Sequence, residues 1–154
     1  MRVLGVDPGA SGALALLDGA TLIVQDVPTV VVKRSRRVVE INDAGLARLV
    51  DELRPEVAWI EQVHAMPKQG VSSSFSFGAS YGLIRGILIG KAIPYFLVTP
   101  HEWKREFRLS SDKQEARLLA SRMFPEYAQT FSRTRDDGRA EAALLAAFGA
   151  RHPL

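Results

Sequence analysis

Short apolar runs separated by turn residues open the chain: Arg2 to Asp7, Ala13 to Leu17 and Thr21 to Val27, with Pro8-Gly9 and Asp18-Gly19 between them. Runs of this length, punctuated in this way, read as an antiparallel meander of three strands. Val3 to Val6 is apolar on both faces, so the first strand is predicted to be central and covered on both sides. Val30 to Ile41 alternates poorly and carries Lys33, Arg34, Arg36 and Arg37, which reads as an exposed basic edge or loop. From Asn42 or Asp43, either of which can cap a helix, the apolar positions Leu46, Leu49, Val50 and Leu53 follow helical spacing and stop before Pro55.

Glu56 to Glu61 is predicted as a strand, followed by a loop rich in Pro, Lys, Gln, Gly and Ser and a helix from about Ser74 to Gly90. Gly78, Gly82, Gly86 and Gly90 recur at every fourth position of that helix and keep one face bare. Each costs the helix roughly 1 kcal/mol against Ala, a cost that makes sense where another backbone comes close, in the sheet or in a second subunit. A strand at Pro94 to Val98, a short helix from Pro100 to Phe107, a helix capped by Ser110 or Ser111 and running to Phe124, and a last helix at Gly138 to Gly149 complete the chain. A hairpin meander followed by strands reached through helical crossovers predicts an α/β fold, with a mixed five-stranded sheet of antiparallel meander plus parallel strands, flanked by helices.

The 154 residues, 47% hydrophobic and 24% charged, fit one domain spanning 1–154. With no cysteine, disulfide scaffolds, thiolate metal sites and cysteine nucleophiles are excluded, and any metal must be held by oxygen or imidazole. The start of the chain has no secretory-signal pattern and Phe75 to Leu97 is interrupted by Arg85 and Lys91, so a cytoplasmic protein is expected. A formal charge of +3 is ordinary for a domain of this size, so nucleic-acid binding has to be read from clustering.

Two acids stand at strand ends: Asp7 after the apolar Val3 to Val6, and Glu61 after Val57-Ala58-Trp59-Ile60. If these strands lie parallel and adjacent, both carboxylates surface on one sheet edge. A third group opens the last helix in Asp136-Asp137-Gly138-Arg139-Ala140-Glu141. Asp137 and Glu141 are about 40° apart on one helix face, which makes Asp137 the better partner for Glu141, although an Asp at this place also serves as a cap. Carboxylates converging from two strand ends and a helix suit Mg²⁺ or Mn²⁺, and a pair of such ions suits in-line phosphodiester hydrolysis. Lys104, Arg105, Arg108, Lys113, Arg117 and Arg122 cluster with Trp103 and Phe107 interleaved; Lys113 at a helix start is unfavourable unless it meets an anion such as phosphate. The loop after Glu61 offers His64, Lys68 and Gln69 as DNA contacts.

Five segments in this order resemble the RuvC family of Holliday junction resolvases, in the ribonuclease H-like superfamily. They are GVDPGASGA (Gly5 to Ala13), IEQVHAMPKQGVSSSFSFGASYG (Ile60 to Gly82), VTPHEWKREF (Val98 to Phe107), SDKQEAR (Ser111 to Arg117) and DDGRAEAALLA (Asp136 to Ala146). The glycine-rich second segment and the GRAEA ending look most like members from phages or prophages. The resemblance implies that Asp7, Glu61 and Glu141 are catalytic metal-binding carboxylates with Asp137 as the fourth, that Lys104 and Lys113 lie near the scissile phosphate, and that two Mg²⁺ or Mn²⁺ ions occupy the site. It also implies a homodimer, formed partly through the glycine-bearing helix, that nicks a four-way DNA junction to leave 5′-phosphates. Two positions depart from the family: Gly138 stands three before Glu141, where an acid or His is common, and His64 stands where an aromatic that stacks on a base is common. The rival readings are a non-catalytic binder of branched DNA and a nuclease acting more broadly on flaps or hybrids. A sugar-kinase or actin-like ATPase shares the first loop but needs a second domain, for which there is no room.

Overall fold

The computed structural model describes residues 1–33, 37–64 and 70–153. Strands β1 (Arg2–Asp7), β2 (Ala13–Asp18) and β3 (Thr21–Asp26) form the predicted meander; β6 (Val57–Glu61) and β7 (Tyr95–Val98) add to it in parallel, giving the order β3-β2-β1-β6-β7. β1 is therefore central, as its unbroken apolar run requires. Two further strands, β4 (Thr29–Lys33) and β5 (Arg37–Ile41), pair with each other and, among the described residues, with no other strand. The segment expected to be a basic edge or loop is thus a hairpin. Its valines decide this: Val31 opposes Val39 and Val32 opposes Val38, and such β-branched pairs stabilise strands where clean alternation is missing. Arg34 and Arg36 lie outside the described residues.

The helices are α1 (Asp43–Leu53), α2 (Val71–Gly90), α3 (Pro100–Glu106), α4 (Lys113–Met123) and α5 (Asp137–Arg151), with 3₁₀ turns at Pro125–Phe131 and Thr134–Asp136 between the last two. Their starts obey capping chemistry: the Asn42 side chain accepts from the Gly45 N–H, Thr99 and Glu102 form a reciprocal capping box, and the Asp112 side chain accepts from the Gln114 N–H. No helix among the described residues is long and apolar enough to cross a membrane.

The pleat divides the core in two. Leu4, Val6, Leu14, Leu16, Ala58 and Ile60 face α1 and α2, while Ala13, Ala15 and Trp59 face α4 and α5. Because neighbours alternate along a strand, Gly5 and Asp7 of β1 look toward α5, as do Trp59 and Glu61 of β6. Gly5 permits this layer to close: a Cβ there would sit 2.0 Å from the Ala142 carbonyl oxygen and 2.4 Å from the Ala146 nitrogen. α5 lies against β1 on a surface of Ala140, Ala142, Ala143 and Ala146, all buried. That close approach carries Glu141 down to the sheet edge.

Candidate active site

β1 and β6 are in parallel register, Gly5 beside Trp59 and Val6 beside Ile60, so their terminal acids Asp7 and Glu61 emerge together. Glu141, in the second turn of α5, meets them from above. Carboxylate oxygens of Asp7, Glu61 and Glu141 lie within 4.8 Å of one another. Burial is the main force raising the Asp7 carboxyl well above the usual carboxylate range, and Glu141 and Glu61 add to it; Lys113 and Lys104 pull the other way. Glu61 is raised as well, first by burial and then by Glu141, while a hydrogen bond from Trp103 and the two lysines lower it. Three acids held this close repel one another and are desolvated, a combination that a hard cation relieves. The donor set is all oxygen, which fits Mg²⁺ or Mn²⁺ and does not fit a soft metal.

The surroundings orient this cluster. The buried Trp103 of α3 donates its indole N–H to Glu61 Oε1 at 3.0 Å, and Lys104 Nζ stands 3.5 Å from Glu141 Oε1 and 5.2 Å from the centre of the Trp103 ring. Lys113, the first residue of α4, is exposed and bears electrostatically on both Asp7 and Glu61. α3 and α4 thus bring Lys104 and Lys113 to the carboxylates. Arg105 and Arg108 are exposed on and just after α3, and His64 is exposed in the loop after Glu61; Lys68 and Gln69 lie outside the described residues.

Asp137, expected as the fourth carboxylate, is not brought into this cluster. It is ion-paired with Arg117 of α4. At the first turn of α5 its side chain leans toward α4, and the residue that looks at Asp7 is Gly138: a Cβ there would lie 2.8 Å from Asp7 Oδ2. The position three before Glu141 therefore abuts the site, but in this chain only a glycine fits beside Asp7 without displacing it. Asp136 is tied up separately, accepting from the Arg133 backbone at 2.8 Å and from the Arg133 guanidinium at 2.8 Å, with Arg139 at 3.5 Å.

From sequence Trp103 reads only as an aromatic interleaved with the basic cluster, and its bond to Glu61 is not visible there. The available signal was chemical: a buried indole N–H needs an acceptor, and Glu61 closes the strand that α3 follows in space. Gly138 was noticed only as a departure, since its meaning depends on the depth to which Gly5 lets α5 descend.

No family model and no curated relative matches the chain. Solved structures do. RuvC of Thermus thermophilus superposes with a TM-score of 0.62 at 17% identity, over 99% of this chain and 96% of that one. The same protein in complex with a Holliday junction substrate gives a TM-score of 0.67 at 17% identity over the same shares. Fowlpox virus resolvase in complex with Holliday junction DNA gives 0.57 at 13% identity, over 99% of this chain and 98% of that one. The chain therefore has the fold of the Holliday junction resolvases, a mixed five-stranded sheet flanked by helices in the ribonuclease H-like manner. Within that class it is similar to Thermus thermophilus RuvC along nearly its whole length.

Proposed function

We propose that this chain is a metal-dependent endodeoxyribonuclease that resolves four-way DNA junctions, leaving 5′-phosphates. The observation that carries the reading is the convergence of Asp7, Glu61 and Glu141 at one sheet edge of this fold, flanked by Lys104 and Lys113. Asp7, Glu61 and Glu141 would hold Mg²⁺ or Mn²⁺, two ions in the full site. Bound there, the metal supplies Lewis-acid activation of water and of the phosphodiester. Trp103, donating to Glu61 Oε1, would hold that carboxylate in place as a ligand for the cation. Lys104 offsets the charge of Glu141, and Lys113, exposed at the start of α4, is placed to meet the phosphate and the charge that develops on it. Asp137, paired to Arg117, orders the α4–α5 junction that carries Lys113 and Glu141, and a shift of that pair would be needed for it to act as a further ligand.

A two-fold junction calls for two active sites, and α2 supports a homodimer. A Cβ at Gly78, Gly82, Gly86 or Gly90 would meet nothing within 4 Å, so the bare stripe faces outward, in line with the exposed Val71 and Phe75. The test is a panel of four-way junction, flap, duplex and RNA–DNA hybrid, with and without Mg²⁺, using the wild type and Asp7→Asn. Metal-dependent cleavage of the junction in preference to the others, lost in Asp7→Asn, is the expected result. Wild-type cleavage rates in Asp7→Asn overturn the site; binding without cleavage makes the chain an architectural protein; equal cutting of flaps or hybrids makes it a broader nuclease.

A further inference from the structure

The β4–β5 hairpin has no role in the site described above, and its construction is unusual. Among the described residues it pairs with no strand of the main sheet. Its base is fixed beside the catalytic loop: the Val27 N–H donates to the Gly12 carbonyl at 3.0 Å, and the Asn42 N–H closes the hairpin on the Pro28 carbonyl at 2.8 Å. From that base, strands of five residues reach about 16 Å outward. At the far end Lys33 stands directly opposite Arg37. Directly opposed residues share a face, and like charges in that relation are destabilising. Both are exposed, and neither has an ion-pair partner among the described residues. In sequence, Lys33 to Arg37 holds four basic residues in five.

A cleft of about 800 Å³ runs between Val38–Ile41 of this hairpin and the half of α2 from Ser72 to Leu83, and it begins at Ala10 in the loop that follows Asp7. α2 connects parallel strands, so it runs against them and starts at the carboxylate edge. The cleft therefore opens beside the catalytic edge. Its α2 wall contributes the hydroxyls of Ser72, Ser73, Ser76 and Ser80, and α2 contains no acidic residue; Glu40 is the one acid lining the cleft among the described residues. The cations stand at the far end of the hairpin rather than in the cleft, whose remaining lining is apolar; hydroxyls along one wall and cations at the tip can each meet phosphodiester oxygens, contacts that position a nucleic acid without reading its sequence.

We propose that the β4–β5 hairpin is a DNA arm, with Lys33 and Arg37 gripping phosphates of the duplex that leads into the catalytic edge and the cleft beside α2 seating that strand. The inference rests on the nuclease reading, and it assigns DNA contact to a hairpin that lies outside the catalytic cluster. The like-charge pair is unfavourable in the free protein and is neutralised when DNA is bound.

The experiment measures binding of a labelled four-way junction in EDTA over a salt series for the wild type, Lys33→Gln/Arg37→Gln, Lys33→Arg/Arg37→Lys, and Arg48→Gln, an exposed cation on α1. Loss of two phosphate contacts is expected to weaken binding about tenfold or more near 0.1 M salt and to reduce the slope of log affinity against log salt by about two. The charge-conserving exchange keeps the wild-type slope, and Arg48→Gln changes it little. A double Gln variant, folded by circular dichroism, that binds with the wild-type slope overturns the arm even when the wild type binds and cuts junctions. The same result with an altered sedimentation profile also overturns it and makes the hairpin a contact between copies. A wild type that binds no junction overturns the nuclease reading and this inference with it.

Discussion

Two acidic groups flank the start of α5, and they are built on opposite principles. Asp136 and Glu141 are the two buried charged residues among the described ones. Asp136 sits in a lattice where bases match acids: Arg133 and Arg139 reach it, and Arg139 also donates to Asp26 at 2.7 and 2.6 Å. Hydrogen bonding from Arg133 holds the Asp136 carboxyl below the usual range, and hydrogen bonding from Arg139 does the same for Asp26. Glu141, five residues on, has one lysine at 3.5 Å and two other carboxylates for company. The lattice is complete without a ligand, whereas the cluster is complete only with a cation. A buried acid alone does not mark function; a shortage of partners around it does.

The strongest way to break this contrast is to remove one acid from each group. Asp7→Asn is expected to lower junction cleavage by about a thousandfold or more, since metal stabilisation of the transition state is a matter of several kcal/mol. In chelator the same variant should be more stable than the wild type by about 1 kcal/mol, a rise of roughly 2–4 °C in Tm for a chain of this size. Asp136→Ala should do the reverse. It strips the acceptor from the Arg133 N–H and guanidinium, so thermal denaturation is expected to show a loss of about 2–3 kcal/mol, roughly 4–12 °C, with metal affinity retained. If calorimetry finds Asp7→Asn destabilised in chelator, the cluster is not the strained one of the two.

Between these extremes lies Trp103, and it shows how far the sequence could be read. The strand-end acids, the central β1 and the meander were legible because alternation and turns are local signals; the parallel pairing of β1 with β6 was a condition that the sequence allowed and the sheet order supplies. The partner of Asp137 was not legible, because helical periodicity puts Asp137 near Glu141 but says nothing of Arg117 on another helix, or of the depth at which Gly5 lets α5 settle on Asp7. Trp103 belongs to the same class of tertiary fact. Trp103→Phe keeps most of the apolar volume and removes the N–H donated to Glu61, so apparent Mg²⁺ affinity is expected to fall about tenfold, in the range found for residues that orient metal ligands. Titration of Mn²⁺ binding by calorimetry reads this without recourse to cleavage. Undiminished Mn²⁺ affinity would reduce Trp103 to a packing residue. Asp137→Asn, measured alongside it, is expected to leave Mn²⁺ affinity within a few-fold of wild type, because its carboxylate is engaged with Arg117; a loss as large as that of Glu61→Gln makes it the fourth ligand after all.

The smallest effect separates the two groups by the sign of their pH dependence. Asp26 and Asp136 titrate below the usual carboxylate range in the folded chain, so the unfolded chain binds protons first as pH falls. The stability they contribute is complete above the ordinary carboxylate pKa of about 4 and is lost as pH drops through their lowered values. Asp7 and Glu61 are raised, so in chelator the folded chain holds protons that the unfolded chain has released. Stability therefore falls as pH climbs from about 4 through their raised values. Together these slopes place the maximum Tm of the metal-free protein on the acid side of neutrality. Asp7→Asn removes the larger part of the falling limb, and saturating Mg²⁺ offsets it by binding the ionised form that the metal-free protein disfavours, so either change should move the maximum a few tenths of a unit or more toward neutral pH. Asp26→Asn acts on the acid limb alone, by a smaller amount because its side chain is largely exposed and its pairing with Arg139 is screened by water. Melting curves from about pH 4 to about pH 8, with chelator and with Mg²⁺, contain the whole comparison: a maximum that ignores both Mg²⁺ and Asp7→Asn would mean that the three carboxylates are no less satisfied than the arginine lattice beside them.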